Sequence, residues 1–103
     1  MFNINKIDWE IKLVSPNHPK IQRENGSFAL GSCDNNTHTI YISEATPEYK
    51  IKKVLCHEIT HAAMFSYRVN ISIEQEELVA DLIATYGAEI IDITNKIFSR
   101  IAK

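Results

Sequence analysis

Residues 46–65 read Thr46-Pro47-Glu48-Tyr49-Lys50-Ile51-Lys52-Lys53-Val54-Leu55-Cys56-His57-Glu58-Ile59-Thr60-His61-Ala62-Ala63-Met64-Phe65, with an H-E-x-x-H pattern at their centre. Thr46-Pro47 offers an N-cap followed by proline at the first helical position, and Glu48 suits the positive end of the helix dipole. A helix is therefore expected to start here. Beyond its first turns, Ile51, Val54, Leu55, Ile59, Ala62, Ala63, Met64 and Phe65 fill most of the circumference, so its later part is expected to be buried. His57 and His61, four residues apart, differ by about 40° around such a helix, and Glu58 projects about 100° from His57. The two rings then sit in the apolar half, opposite a half carrying Lys50, Lys52 and Lys53.

The spacing carries chemistry. Two neutral imidazoles at about 2.0–2.1 Å suit Zn²⁺, and an intervening glutamate can take a proton from a zinc-bound water whose pKa the metal lowers to about 7. A chance pattern on an ordinary helix is the competing explanation. It is answered by the acidic segment downstream, because a zinc site needs a third protein ligand. Ser72-Ile73-Glu74-Gln75 forms an S-x-x-Q capping box, which accounts for Glu74 and Glu76 as first-turn residues facing the helix dipole. On the helix that follows, Glu77, Asp81, Ala84 and Ala88 fall in a stripe about 40° wide, adjoined by Ala80. Small residues let another helix come close, and ionised groups at such a contact are costly unless paired or metal-bound. Glu77 is accordingly the expected third ligand. Asp81, one turn on, is placed to accept the free ring N–H of a ligating histidine and so to hold its orientation.

His57-Glu58-Ile59-Thr60-His61 followed by Glu77-Leu78-Val79-Ala80-Asp81 resembles the H-E-x-x-H plus E-x-x-x-D arrangement of gluzincin metallopeptidases. It is similar in particular to the small ImmA/IrrE-like metallopeptidases of phages and bacteria, and the likeness runs from Gly31 to Ala84. The resemblance implies zinc ligands His57, His61 and Glu77, a general base at Glu58 and an orienting role for Asp81. It also implies a zincin-like fold and a peptide or protein substrate lying along a strand edge.

The rest of the chain sets the frame. At 103 residues, 45% hydrophobic and 23% charged, one domain spanning 1–103 is expected. A net charge of −2 with eleven scattered basic residues gives no footprint for nucleic acid. No signal segment or membrane span is legible, so a cytoplasmic protein with Cys33 and Cys56 as free thiols is expected, Cys56 as a small buried hydrophobe. Trp9, Ile11 and Leu13 alternate with polar residues as a half-buried strand. Ser27–Leu30 and Thr37–Ile42 are expected as two more, with a reversal at Asp34-Asn35-Asn36. The expectation is an α+β fold: a small antiparallel three-stranded sheet, the H-E-x-x-H helix, then a long helix running past Gly87 to Lys103.

The third of these strands leads into the histidine helix, so its edge is expected near the metal, where an extended peptide could add to the sheet. His38 is expected as a satisfied histidine at the sheet margin and His18 as merely exposed. Tyr41, Tyr67, Arg68 and Tyr86 stand as candidates for the oxyanion donor that peptide hydrolysis wants, although Tyr67-Arg68 is first expected to end the histidine helix and Tyr86 to pack. The expected function is a zinc-dependent endopeptidase acting through a water activated by Glu58. The alternative is a non-catalytic, zinc-stabilised interaction module of phage accessory or inhibitory type, and either could depend on a regulatory protein partner.

Overall fold

In the computed structural model, which describes residues 1–102, the first chain reversal falls at Asn5-Lys6, with φ of 48° and 68°. Positive φ at both central residues is the turn whose twist suits a two-residue hairpin. It joins β1 (Phe2–Ile4) to β2 (Ile7–Val14) in antiparallel register, Phe2 opposite Trp9 and Ile4 opposite Ile7. After a single 3₁₀ turn at Pro19–Ile21 come β3 (Gly31–Asp34) and β4 (Thr39–Ser43), paired antiparallel with Cys33 opposite Ile40. The sheet order is β1-β2-β4-β3, and β2 runs parallel to β4 with Ile11 opposite Ile40.

The sheet therefore has four strands and is mixed, not three-stranded and antiparallel. β1 has only three residues, too few to show alternation, and its turn lacks the glycine that usually marks this hairpin. Ser27–Leu30 is not a strand. Gly26, at φ 87°, closes a tight loop in which Arg23 N–H donates to the Ser27 carbonyl at 2.7 Å, and Phe28 makes only an isolated bridge to Gln22. The chain thus reverses twice between β2 and β4, which restores the direction of β2. The second reversal falls where expected: Asp34 Oδ1 accepts from the N–H groups of Asn36 and Thr37 at 2.9 and 3.3 Å. Lys20 Nζ, 2.8 Å from Asp34 Oδ2, fastens the 3₁₀ turn to the same corner and holds the Asp34 carboxyl down at about 2.

β4 is the central strand, and all five of its residues are buried. Around it Trp9, Ile40, Ile42 and Ala62 form the core, with Phe2, Ile4, Val54, Leu55 and Ile59 packed against it. The Trp9 indole N–H donates to Ser66 Oγ at 2.9 Å, tying the sheet to the end of the first helix. Ile11 and Leu13 are exposed, contrary to the half-buried strand expected there. Alternation identifies a face of a strand but not whether another layer reaches it.

α1 spans Glu48–Ser66 and starts one residue later than the Thr46 cap predicts. Pro47 occupies the cap position, and the Thr46 hydroxyl is buried without a partner. The helix ends in a Schellman closure, Val69 N–H to Met64 carbonyl and Arg68 N–H to Phe65 carbonyl, with Arg68 at φ 56° in the position glycine usually takes. α2 (Ile73–Ile101) opens on the expected capping box: Gln75 N–H donates to Ser72 Oγ at 3.1 Å, and Ser72 N–H to Gln75 Oε1 at 3.0 Å. It packs on α1 through Ala80, which is fully buried; from Ala88 onward every described residue of α2 is exposed. Among the described residues no helix is long and apolar enough to cross a membrane.

Candidate metal centre

Four residues along α1 and one turn of α2 bring three donor groups to a point. His57 Nε2 and His61 Nε2 lie 3.1 Å apart, and the Glu77 carboxylate bridges them, Oε2 at 3.2 Å from the first and Oε1 at 2.8 Å from the second. Among the described residues His57, His61 and Glu77 are the group whose ligand atoms all fall within 4.8 Å of one another. On the far side of each ring stands another carboxylate. Asp81 Oδ1 is 3.0 Å from His57 Nδ1, and Glu76 Oε1 is 3.6 Å from His61 Nδ1. The first is a hydrogen bond; the second is an electrostatic contact, too long for one.

The donor set fits a small divalent cation. A hydrogen bond from His57 Nδ1–H to Asp81 leaves its Nε2 with a lone pair facing Glu77, and His61 offers its Nε2 lone pair at the same point when Nδ1 carries the proton. Three acceptors at such separations repel unless a proton or a cation lies between them. For tetrahedral zinc with bonds of about 2.0–2.1 Å, neighbouring donors stand about 3.3 Å apart, close to the separations here. Two imidazoles and one carboxylate are also the ligand set of open zinc sites that keep a position for substrate.

Glu58 is buried beside this group. Burial pushes its carboxyl up to about 7, reinforced by the charge of Glu77 and opposed by His57. Gly31 sets its seat. A Cβ on Gly31 would stand 3.2 Å from Glu58 Cγ and 2.9 Å from Val54 Cγ1, so its absence lets β3 lie directly against α1. The raised value has a thermodynamic signature. Because the folded pKa exceeds the unfolded 4.5, folding favours the protonated acid, and the stability it contributes is lost as pH rises through the folded value. The metal-free protein should lose up to about 3 kcal/mol between pH of about 4.5 and about 7, and Glu58→Gln should flatten that part of the profile. Thermal melts of both metal-free proteins across this range check it; identical slopes would refute the assignment.

These groups line a cleft of about 780 Å³ between β3, α1 and the start of α2. Its other walls include Ala29, Leu30, Ser32 and Cys33, and three cations, Arg23, Lys50 and Lys53. Spacings of four and seven residues put Lys53 and Lys50 on the same face of α1 as His57, so the lysines are not confined to an opposite half. The free strand edge at the cleft belongs to β3, because β4, expected to supply it, is enclosed between β2 and β3.

Tyr41, Tyr67, Arg68 and Tyr86 are not among the cleft residues. Tyr41 is buried under the ring of His18 at 5.7 Å, Tyr67 and Arg68 end α1, and Tyr86 is exposed on α2. His18 is thus more than an exposed residue: its Nδ1 also accepts from Lys20 N–H at 3.0 Å. His38 packs on Trp9 and Phe65 away from the cleft. Burial, with the negative charges of Glu58, Glu76 and Asp34, pushes the Cys33 thiol up to about 12 and keeps it protonated.

The cations of the cleft are the site residues that sequence reasoning missed, and Glu76, an acidic candidate set aside there as a first-turn residue, stands near His61. The capping box gave Glu76 a sufficient explanation of its own, while the lysine spacing was a usable signal. No protein-family model, curated protein or solved structure matches the chain.

Proposed function

We propose that this chain is a zinc-dependent endopeptidase of minimal gluzincin type, similar to the small ImmA/IrrE-like metallopeptidases. The observation that carries the reading is the convergence of His57, His61 and Glu77 within 4.8 Å beside a buried carboxylate. When bound, zinc supplies Lewis acidity, lowering the pKa of water to about 7 and polarising a carbonyl oxygen. His57, His61 and Glu77 would hold the ion. Asp81 fixes the ring of His57 by accepting its Nδ1–H. Glu58 accepts the proton of the attacking water and passes it to the leaving amine; a carboxyl tuned toward neutral pH suits both transfers. Cys33 lines the cleft but lies outside the converging donor group, which leaves three protein ligands, as an open catalytic site requires.

The outer edge of β3 is free to pair with an extended peptide, which brings its backbone past Glu58. Arg23, Lys50 and Lys53 line the same cleft, and none forms an ion pair with another described residue. Lys53 and Lys50 stand about 6 and 10 Å along the helix from His57, two or three residues of extended peptide from the reacting carbonyl. Peptides with acidic residues at that distance should be cleaved about tenfold better than neutral ones, and Lys50→Glu with Lys53→Glu should reverse the preference. A charge-varied fluorogenic peptide library measures this, and equal cleavage of all members would remove the preference. The function itself is tested by stoichiometric metal analysis together with turnover by wild type and Glu58→Gln.

A further inference from the structure

The outer half of α2 has an apolar face that no other described residue covers. At 100° per residue Ile83, Tyr86, Ile90, Ile93, Ile97 and Ile101 fall within about 80°, and Phe98 and Ile91 widen the arc to about 160°. Their exposure runs from 40% at Ile83 to 77% at Ile101. With fully exposed residues of this size at roughly 200 Å², the eight expose on the order of 900 Å². The largest apolar patch on a typical monomer is about 300–600 Å², and a standard interface buries about 800 Å² per partner. The opposite face carries Glu89, Asp92 and Lys96, with Lys96 paired to Asp92 at 2.9 Å, and Arg100 borders the apolar arc next to Ile93. That balance of charge does not suit an anionic membrane, which favours a basic polar face.

We infer that residues 83–101 of α2 are a homodimer surface on which two copies pack antiparallel. The charges choose the partner and its direction. Ile83, Ile90 and Ile97 alternate at spacings of three and four with Tyr86, Ile93 and Arg100, the two core positions of a heptad, and Glu89 and Lys96 flank that seam. In the antiparallel register that sets Ile90 against the partner's Ile93, Ile97 meets the partner's Tyr86. Glu89 then faces the partner's Lys96, and symmetry makes the pair twice. A parallel register would face Arg100 with Arg100 in the seam and leave Glu89 opposite Thr94. The antiparallel alignment separates the two Arg100 residues, setting each against the partner's Ile83 at an end of the seam with Phe98 and Ile101 on either side of it. There a groove of about 390 Å³ lined by Leu55, Ile59 and Ala63 of α1 continues the apolar face.

Sedimentation equilibrium of the full chain tests this. Wild type should sediment at twice the monomer mass, and Ile90→Glu with Ile97→Glu should be monomeric while Trp9 fluorescence still reports a folded core. Glu89→Lys or Lys96→Glu alone should each weaken association on the order of tenfold, and the double exchange should restore it. A monomeric wild type, or a dimer indifferent to the isoleucine pair, overturns the surface. A double exchange no better than either single variant overturns the antiparallel register.

Discussion

Glu58→Gln should keep its metal, gain stability when metal-free, and lose turnover by about 10²–10⁴-fold, the usual contribution of a positioned acid or base. Glutamine has nearly the same shape and fits the seat beneath Gly31, so His57, His61 and Glu77 are not displaced. It cannot accept the proton of water. It also removes a carboxylate whose ionised form is penalised by burial and by Glu77, so at pH above about 7 the metal-free variant should melt higher than wild type. Opposite signs for activity and stability distinguish a base from a residue that merely supports the fold, whose loss lowers both. Peptide turnover, zinc stoichiometry and metal-free melting on one preparation measure all three. Undiminished turnover would end the assignment of Glu58 as base.

Glu77→Ala should abolish stoichiometric zinc retention, weakening affinity by well over 100-fold, because it removes the anionic donor that touches both histidines. Asp81→Asn should be milder, about 10–100-fold, the usual cost of losing a carboxylate that orients a metal histidine. Competition against a chromophoric chelator ranks the three proteins. Zinc at 100 times its dissociation constant should stabilise wild type by about 2.7 kcal/mol, raising Tm by roughly 10–20 °C in a chain of this size. Glu77→Ala should show almost none of that rise. Full retention of zinc by Glu77→Ala would move the third ligand to Glu76, the next carboxylate at the histidines.

The centre was legible because its residues answer to helical geometry. His57, Glu58 and His61 share one helix, and Glu77 and Asp81 another, so spacing alone fixed who could face whom. The capping box at Ser72 set the phase of α2 before any contact was known. The sheet was less legible, since its pairing joins segments far apart in sequence. Nothing local in Trp9–Leu13 says that its neighbour will be Thr39–Ser43 running the same way. The hairpin at Asn5-Lys6 hid because lysine stands where glycine usually follows the asparagine of such a turn, and the loop at 22–29 hid behind apolar residues that pack without forming a strand. Gly31 gave no turn signal, because its missing side chain serves a close approach between β3 and α1 rather than an unusual φ.

A metal held by His57, His61 and Glu77 would be a cross-link between two helices. The chain between His61 and Glu77 becomes a closed loop, fastened much as a disulfide fastens one, across a cleft lined by Glu58, Glu76, Glu77 and Asp81. α2 is one continuous rod, so fastening its first turns also fixes the direction of its exposed outer half. Metal occupancy at one end and pairing with a second copy along the other would act on a single rigid lever.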